Sequence, residues 1–318
     1  MPPQRAALEN RAESVSWAGI AHLCVVYAVW GSTYLAIRVA VRDGSGISPF
    51  FLGASRTLPA AVLLLGWNAL RGSRLKPTPG EWLTLVVSGL LLWVGGNGLV
   101  NWAEQHADSG YAALLVGTTP MWVALVESVI DRRPPSLQLV LALGIGFGGL
   151  AVLTYPVLQK GGSADLHAIV ALMFAPLSWG TGSILQARRP VRLSPSASSA
   201  YQQLFGGIGF ALVSVLLLEP QPDPSPGAWL AWGYLLVAGS LIAFTSFIQA
   251  LRLLPIRIVM TYAYVNPVIA VFLGWLVLGE AITAWTLAGT ALVLLGVAGV
   301  FRVKMKRAAP VGMAGEAS

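Results

Sequence analysis

The sequence has one cysteine, Cys24, three histidines and only 10% charged residues in 318 positions. A single cysteine excludes a disulfide framework and any cysteine-rich metal site. His22, His106 and His167 lie far apart without ligand spacing, so no metal or other cofactor is expected. Acids number 13 against 20 Lys and Arg, and no pair of them falls within an apolar run, as acid–base catalysis would need. The HExxH and GxSxG signatures are missing as well. These absences weigh against an intramembrane enzyme, and a non-enzymatic protein is expected. With 56% hydrophobic residues, a soluble globular domain is excluded. The net charge of +7 could suggest nucleic acid, but the basic residues sit in short segments between apolar runs, so no nucleic-acid partner is expected.

What is there is a series of apolar runs, each near the ~20 residues that cross a bilayer core. The spans are placed at 17–40, 48–70, 79–102, 109–130, 136–155, 165–187, 195–218, 226–250, 256–278 and 282–301. The fold class is therefore all-α integral membrane, with ten transmembrane helices. The first run is too long for a signal-peptide core and lacks a small-residue cleavage site, so it is read as retained. Ser48-Pro49, Thr78-Pro79, Ser194-Pro195 and Ser225-Pro226 each put a capping hydroxyl before a first-turn proline. Glu81 completes a possible capping box with Thr78. Connections are short, which leaves no room for an extramembrane domain.

The stretch Thr261-Tyr262-Ala263-Tyr264-Val265-Asn266-Pro267 stands out within an apolar run. A proline in a helix interior deletes one backbone hydrogen bond and frees the carbonyl four residues earlier, here that of Ala263. In hydrocarbon such a break persists only where protein or a water-filled cavity satisfies it. Val116-Gly117-Thr118-Thr119-Pro120 marks the same place 147 residues earlier, and at that spacing Thr78-Pro79-Gly80-Glu81-Trp82-Leu83 matches Ser225-Pro226-Gly227-Ala228-Trp229-Leu230. Gly149 matches Gly296, and Trp30-Gly31-Ser32 echoes Trp179-Gly180-Thr181. A duplication follows. Residues 1–16 form an N-terminal tail, 17–155 and 165–301 two five-helix repeats, 156–164 the connection and 302–318 a basic tail. Five spans per half is odd, so the halves insert with opposite orientation, an arrangement that places a site near the midplane and permits access from alternate sides.

Trp30-Gly31-Ser32-Thr33-Tyr34, Ala54-Ser55-Arg56, Gly96-Asn97-Gly98 and the Tyr262-to-Pro267 stretch followed by Gly279-Glu280 resemble the drug/metabolite transporter superfamily. Within it the chain resembles ten-helix EamA-type exporters, including the aromatic amino acid exporter branch. The resemblance implies an inner-membrane exporter of small metabolites, in which the substrate is the partner besides membrane lipid and the chain is a monomer. The first half departs from it, carrying Arg132-Arg133 where the second has Gly279-Glu280. A lipid-transporting protein and an exporter of drugs or other metabolites remain alternatives.

Candidate substrate-binding residues are Trp30, Ser32, Asn97, Asn101, Thr118, Thr119, Trp179, Ser183, Tyr262 and Asn266, with Pro120 and Pro267 shaping the helix breaks. Trp93, Asn97 and Asn101 are spaced to share one helical face. Amides in an apolar helix need partners, which a cavity or a neighbouring helix can supply. Tyr262 and Asn266, one turn apart, present a ring and an amide together. Gly144-Ile145-Gly146-Phe147-Gly148-Gly149 is expected to pack helices within the molecule. Glu127 is expected to reach Arg132 or Arg133. Arg56 is the charge inside a span; it either receives a substrate carboxylate, which its fork matches, or holds backbone carbonyls or a loop acid such as Glu104. On this placement no acid lies at mid-depth, and facilitative transport by alternating access is the simplest expectation. A cavity with a single basic residue fits apolar or aromatic amino acids better than phosphates.

With the N-terminus inside, the inner segments hold 16 Lys and Arg and the outer ones Arg38, Arg42 and Lys160. Such a bias sets orientation, and anionic head groups would then hold the tail from Arg302 to Arg307. Both termini should therefore be cytoplasmic. A reporter fused after the C-terminal tail is expected to be active only as a cytoplasmic fusion; periplasmic activity would contradict the ten-span topology.

Overall fold

Thr78, Ser194 and Ser225 cap their helices as their sequence context predicts, accepting from the main-chain N–H of Glu81, Ala197 and Ala228 at 3.4, 3.1 and 3.3 Å. Glu81 closes the capping box by accepting from the Thr78 N–H at 2.7 Å. Ser48 differs, because the Glu219 carboxylate takes the N–H groups of Phe50 and Phe51 at 3.0 and 2.8 Å. A full negative charge there satisfies two of the helix's free donors at once.

The computed structural model describes residues 16–42, 44–106, 112, 115–159, 166–189, 191–278 and 282–306. Gly279-Glu280 lies outside them. Among the described residues the structure is all helical, with no strand. The helices are α1 (Trp17–Val41), α2 (Pro49–Leu70), α3 (Pro79–His106), α4 (Thr119–Asp131), α5 (Leu137–Gln159), α6 (Leu166–Arg188), α7 (Pro195–Leu216), α8 (Pro226–Leu253), α9 (Ile256–Val259), α10 (Tyr262–Leu278) and α11 (Ala284–Lys306). Seven are long and apolar enough to cross a membrane, and Leu137–Leu153 and Ile256–Ile269 are shorter apolar helices. The pattern is consistent with a ten-helix membrane fold.

The bundle has two ends. At one, the Gly46 carbonyl accepts from the Asp223 N–H at 2.9 Å, and Arg38 donates to the Glu104 carbonyl at 2.7 Å. At the other, which collects Arg74, Arg188, Arg192, Arg252 and Arg257, Glu81 takes the Arg192 N–H at 2.7 Å and Arg252 donates to the Leu193 carbonyl at 2.7 Å. We call this second one the basic end. α1 packs against α8 and α10, α3 packs on α6, and α2 packs on α7.

α3 and α8 share more than a capped start. Each is 28 residues long, and each widens into a nine-residue π-helical stretch, Leu90–Gly98 and Leu235–Ala243. Such stretches are rare and concentrate at functional sites. In α3 the widening is matched by Gly96, where a Cβ would stand 2.8 Å from the Trp179 ring. Glycine here lets α6 bring that ring against the α3 backbone.

α5 and α11 form a side pair that joins the bundle through Tyr264, whose hydroxyl donates to the Leu143 carbonyl at 3.1 Å. The glycine-rich run of α5 packs within the molecule, as expected, but through Gly146 and Gly149; Gly144 and Gly148 meet nothing. A Cβ on Gly296 would lie 2.5 Å from the backbone of Gly146. Backbone cannot step aside as a flexible side chain can. Gly296→Ala is therefore expected to cost about 1–3 kcal/mol and to lower the melting temperature in detergent, while Gly144→Ala leaves it unchanged. Equal melting curves for the two variants would refute this packing.

Candidate functional site

A cavity opens among α1, α2, α3, α4, α6, α8 and α10, with about 680 Å³ of space between atoms including its open mouth. Trp30, Arg56, Asn97, Thr119, Trp179, Tyr262 and Asn266 line it, so seven of the residues proposed from sequence meet in one place. Thr33, Tyr34, Trp93 and Pro176 join them.

On the side towards the basic end the wall is aromatic. Trp30 contacts Tyr262, Phe247 and Trp179 at ring-centroid distances of 5.0, 5.1 and 5.4 Å. Two of these contacts are edge-on, a geometry aromatic quadrupoles favour. Tyr27 and Thr261 join by their hydroxyls at 2.6 Å. Beyond them Glu127 bridges Arg188 and Arg257 at 3.3 and 3.2 Å, and Arg188 also reaches Asp131 at 2.5 Å. These contacts tie α4, α6 and α9 together. Glu127 therefore finds its arginines on other helices, not at Arg132 or Arg133, because the chain turns through a left-handed Arg132 (φ 52°) directly after α4.

The opposite wall is polar. Arg56 is 3% exposed; it donates to the Asn97 side-chain oxygen and lies 5.3 Å from the Trp93 ring centroid. Among the described residues, the Arg56 Nε, the indole N–H groups of Trp93 and Trp179, and both amide atoms of Asn266 have no partner. Buried donors of this kind are costly unless something pairs with them. The cavity thus combines an aromatic floor with a cluster of unpaired donors around a guanidinium.

Four proposed residues lie elsewhere. Ser32 bonds the Val29 carbonyl and the Tyr234 hydroxyl, Thr118 the Leu115 carbonyl, and Ser183 the Trp179 carbonyl. Asn101 donates to the Pro49 carbonyl at 3.3 Å. The α-helical spacing that grouped it with Asn97 fails because the π-helical stretch widens the turn just before it. The helix breaks also differ from expectation. Pro120 stands in the first turn of α4, after a turn at Gly117–Thr118, and so removes no interior hydrogen bond. Pro267 lies inside α10, while the chain actually turns at Met260–Thr261.

A family model matches the chain twice, over residues 17–155 and 166–302, under the description EamA-like transporter family. The chain belongs to that family. Among relatives of this EamA-like transporter, an uncharacterized inner membrane transporter of Escherichia coli K12, YedA, is 32% identical over 82% of this chain and 83% of its own. Protein PecM of Dickeya dadantii is 26% identical over 83% and 86%, and the uncharacterized transporter YoaV of Bacillus subtilis is 24% identical over 86% and 92%. A protein crystal structure 21% identical in sequence superposes with a TM-score of 0.76, covering 92% of this chain and 99% of the other. It shares the fold.

Sequence reasoning misplaced one residue of consequence in this EamA-like transporter. Glu104 was expected in a loop, yet α3 continues to His106 and buries it completely. The polar run Glu104-Gln105-His106 reads as the end of a span at 102, but the helix continues four residues further, where it packs on α6 and α1.

Proposed function

We propose that this transporter exports small metabolites that carry an apolar or aromatic body and a carboxylate, with aromatic and other apolar amino acids as the leading class. The observation that carries the reading is the pairing, in one cavity, of an aromatic floor with the Arg56 guanidinium and its unpaired neighbours. The floor offers large apolar area to a ring. Arg56 offers the fork that a carboxylate fills. The glycine at position 96 lets the Trp179 ring of that floor lie against α3.

The doubled match of the family model and the like construction of α3 and α8 support two five-helix halves of opposite orientation, moving about the cavity by alternating access. The gathering of arginines at one end supports placing that end in the cytoplasm, and the name of the E. coli relative supports the inner membrane. In the state described, the aromatic floor and the Glu127 bridges lie between the cavity and the basic end. Substrate would enter from there after these contacts part, with net flux following its own gradient.

The test is export of labelled L-phenylalanine from proteoliposomes. Arg56→Lys keeps the charge but loses the fork, and is expected to weaken half-saturation about tenfold or more (~1.4 kcal/mol). Trp179→Ala should lose most uptake into the cavity while leaving the melting temperature within a few degrees. Wild-type rates in both variants would refute this site.

A further inference from the structure

A second group of buried polar side chains lies outside the cavity, where α7 meets α3, α6 and α8. Gln202 donates to the Ser88 hydroxyl and to the Gln186 amide oxygen, both at 2.8 Å. Its neighbour Gln203 donates to the Ser199 hydroxyl at 3.0 Å and to the Ser240 carbonyl at 3.2 Å. All six residues are at most 2% exposed. Even so, among the described residues the amide oxygens of Gln202 and Gln203, the Gln186 Nε2 and the Ser240 hydroxyl have no partner. An amide kept only to join helices gains by having both its ends paired, and left half-paired it carries a desolvation cost that an apolar side chain avoids.

These residues stand where the other half has its cavity wall. The capped starts Ser48-Pro49 and Ser194-Pro195 pair Arg56 with Gln202, and the 147-residue spacing pairs it with Gln203. That spacing also pairs Trp93 with Ser240, and the Trp30–Trp179 match carries Ile37 onto Gln186. Arg56, Trp93 and Ile37 all line the cavity. Depth is mirrored as well. Arg56 follows Pro49, at the end away from the basic one, by seven residues, and Gln202 follows Pro195, at the basic end, by the same seven. Arg56 reaches the π-helical stretch of α3 at Asn97, and Gln203 reaches that of α8 at Ser240. We infer that Gln186, Gln202, Gln203 and Ser240 form a second substrate site, shut in the state described, which opens to the basic end when the aromatic floor parts. Halves of opposite orientation exchange roles as access changes sides, so the second half then presents what Arg56, Trp93 and Ile37 present now. The site suits the polar end of a zwitterion: the Gln202 and Gln203 oxygens accept from an ammonium, and the Gln186 N–H and the Ser240 hydroxyl donate to a carboxylate. Neutral groups hold a carboxylate less strongly than a guanidinium does, so a substrate loaded there can pass on to Arg56.

The second site rests on the reading of two inverted halves, and its test separates the two. Single cysteines are placed in the Cys24→Ser protein, which removes the one native thiol, and the variants are reconstituted in oriented lipid vesicles. A charged, membrane-impermeant methanethiosulfonate is then applied to one face at a time. Thr33→Cys, in the cavity, should be modified only from the face opposite the basic end, and Ser240→Cys only from the basic end. Gln186→Cys should behave as Ser240→Cys does, and it decides the matter should Ser240→Cys fail to fold. Saturating L-phenylalanine should abolish modification at all three positions. Silence of Ser240→Cys and Gln186→Cys from both faces, with Thr33→Cys reactive, would reduce the group to a packing network and overturn the second site. Reaction of either from the same face as Thr33→Cys would overturn it too, as would protection by L-phenylalanine of Thr33→Cys alone. Should Thr33→Cys be silent as well, the reading of the cavity falls with the site. Should the two-sided pattern appear without any protection by L-phenylalanine, the substrate reading falls and the second opening stands.

Discussion

A guanidinium buried in the middle of an apolar bundle is the constraint to which the rest of this structure answers. Stripping an ion of water costs about several kcal/mol even after relaxation, and Arg56 is 3% exposed. The Asn97 amide oxygen takes one of its donors, and the Trp93 face adds a cation–π contact. Neither satisfies the whole fork. Asn97 reaches Arg56 from a π-helical stretch, and that stretch can lie against α6 because Gly96 has no side chain to hold Trp179 away. The local distortion of α3, the glycine and the arginine form one unit.

The second unit is the aromatic floor, built from four elements. Trp30 of α1, Trp179 of α6 and Tyr262 of α10 meet with Phe247 of α8. Their centroid distances of 5.0–5.4 Å are ordinary packing contacts, and rings can part and re-form them at modest cost. The Glu127 bridges beneath are partly exposed, so they too are contacts of small net value. A transporter needs its closure to be reversible. Weak, multiple contacts on the side of the basic end meet that need, while the costly charge sits beside the substrate space where it can select.

Much of this was legible in the sequence because the bilayer leaves few options. Ten apolar runs, capped starts at Thr78, Ser194 and Ser225, and the clustering of Trp30, Asn97, Trp179, Tyr262 and Asn266 all followed from spacing and polarity. What was not legible depended on departures from regular helix. Asn101 was grouped with Asn97 by a 3.6-residue period that α3 does not keep. Pro267 drew attention to a break that the chain makes at Met260–Thr261. Glu104 was assigned to a loop because a polar helix end and a loop have the same composition; only its neighbours on α1 and α2 reveal that it is buried. Glu127 chose Arg188 and Arg257, partners 61 and 130 residues away, over its sequence neighbours. Contacts of that separation leave no trace in a local pattern.

The central claim is that the Arg56 fork reads the carboxylate of a ligand whose apolar body rests on Trp30, Trp179 and Tyr262. Comparing the binding of L-phenylalanine with that of its carboxamide to the same detergent-purified protein, by calorimetry, isolates that contact. Ring and amine are common to both ligands, and only the carboxylate differs. The account predicts that the amide binds at least about tenfold more weakly (~1.4 kcal/mol) and that the difference vanishes in Arg56→Gln. Equal affinities for acid and amide in the wild type, or a difference that survives Arg56→Gln, would contradict it.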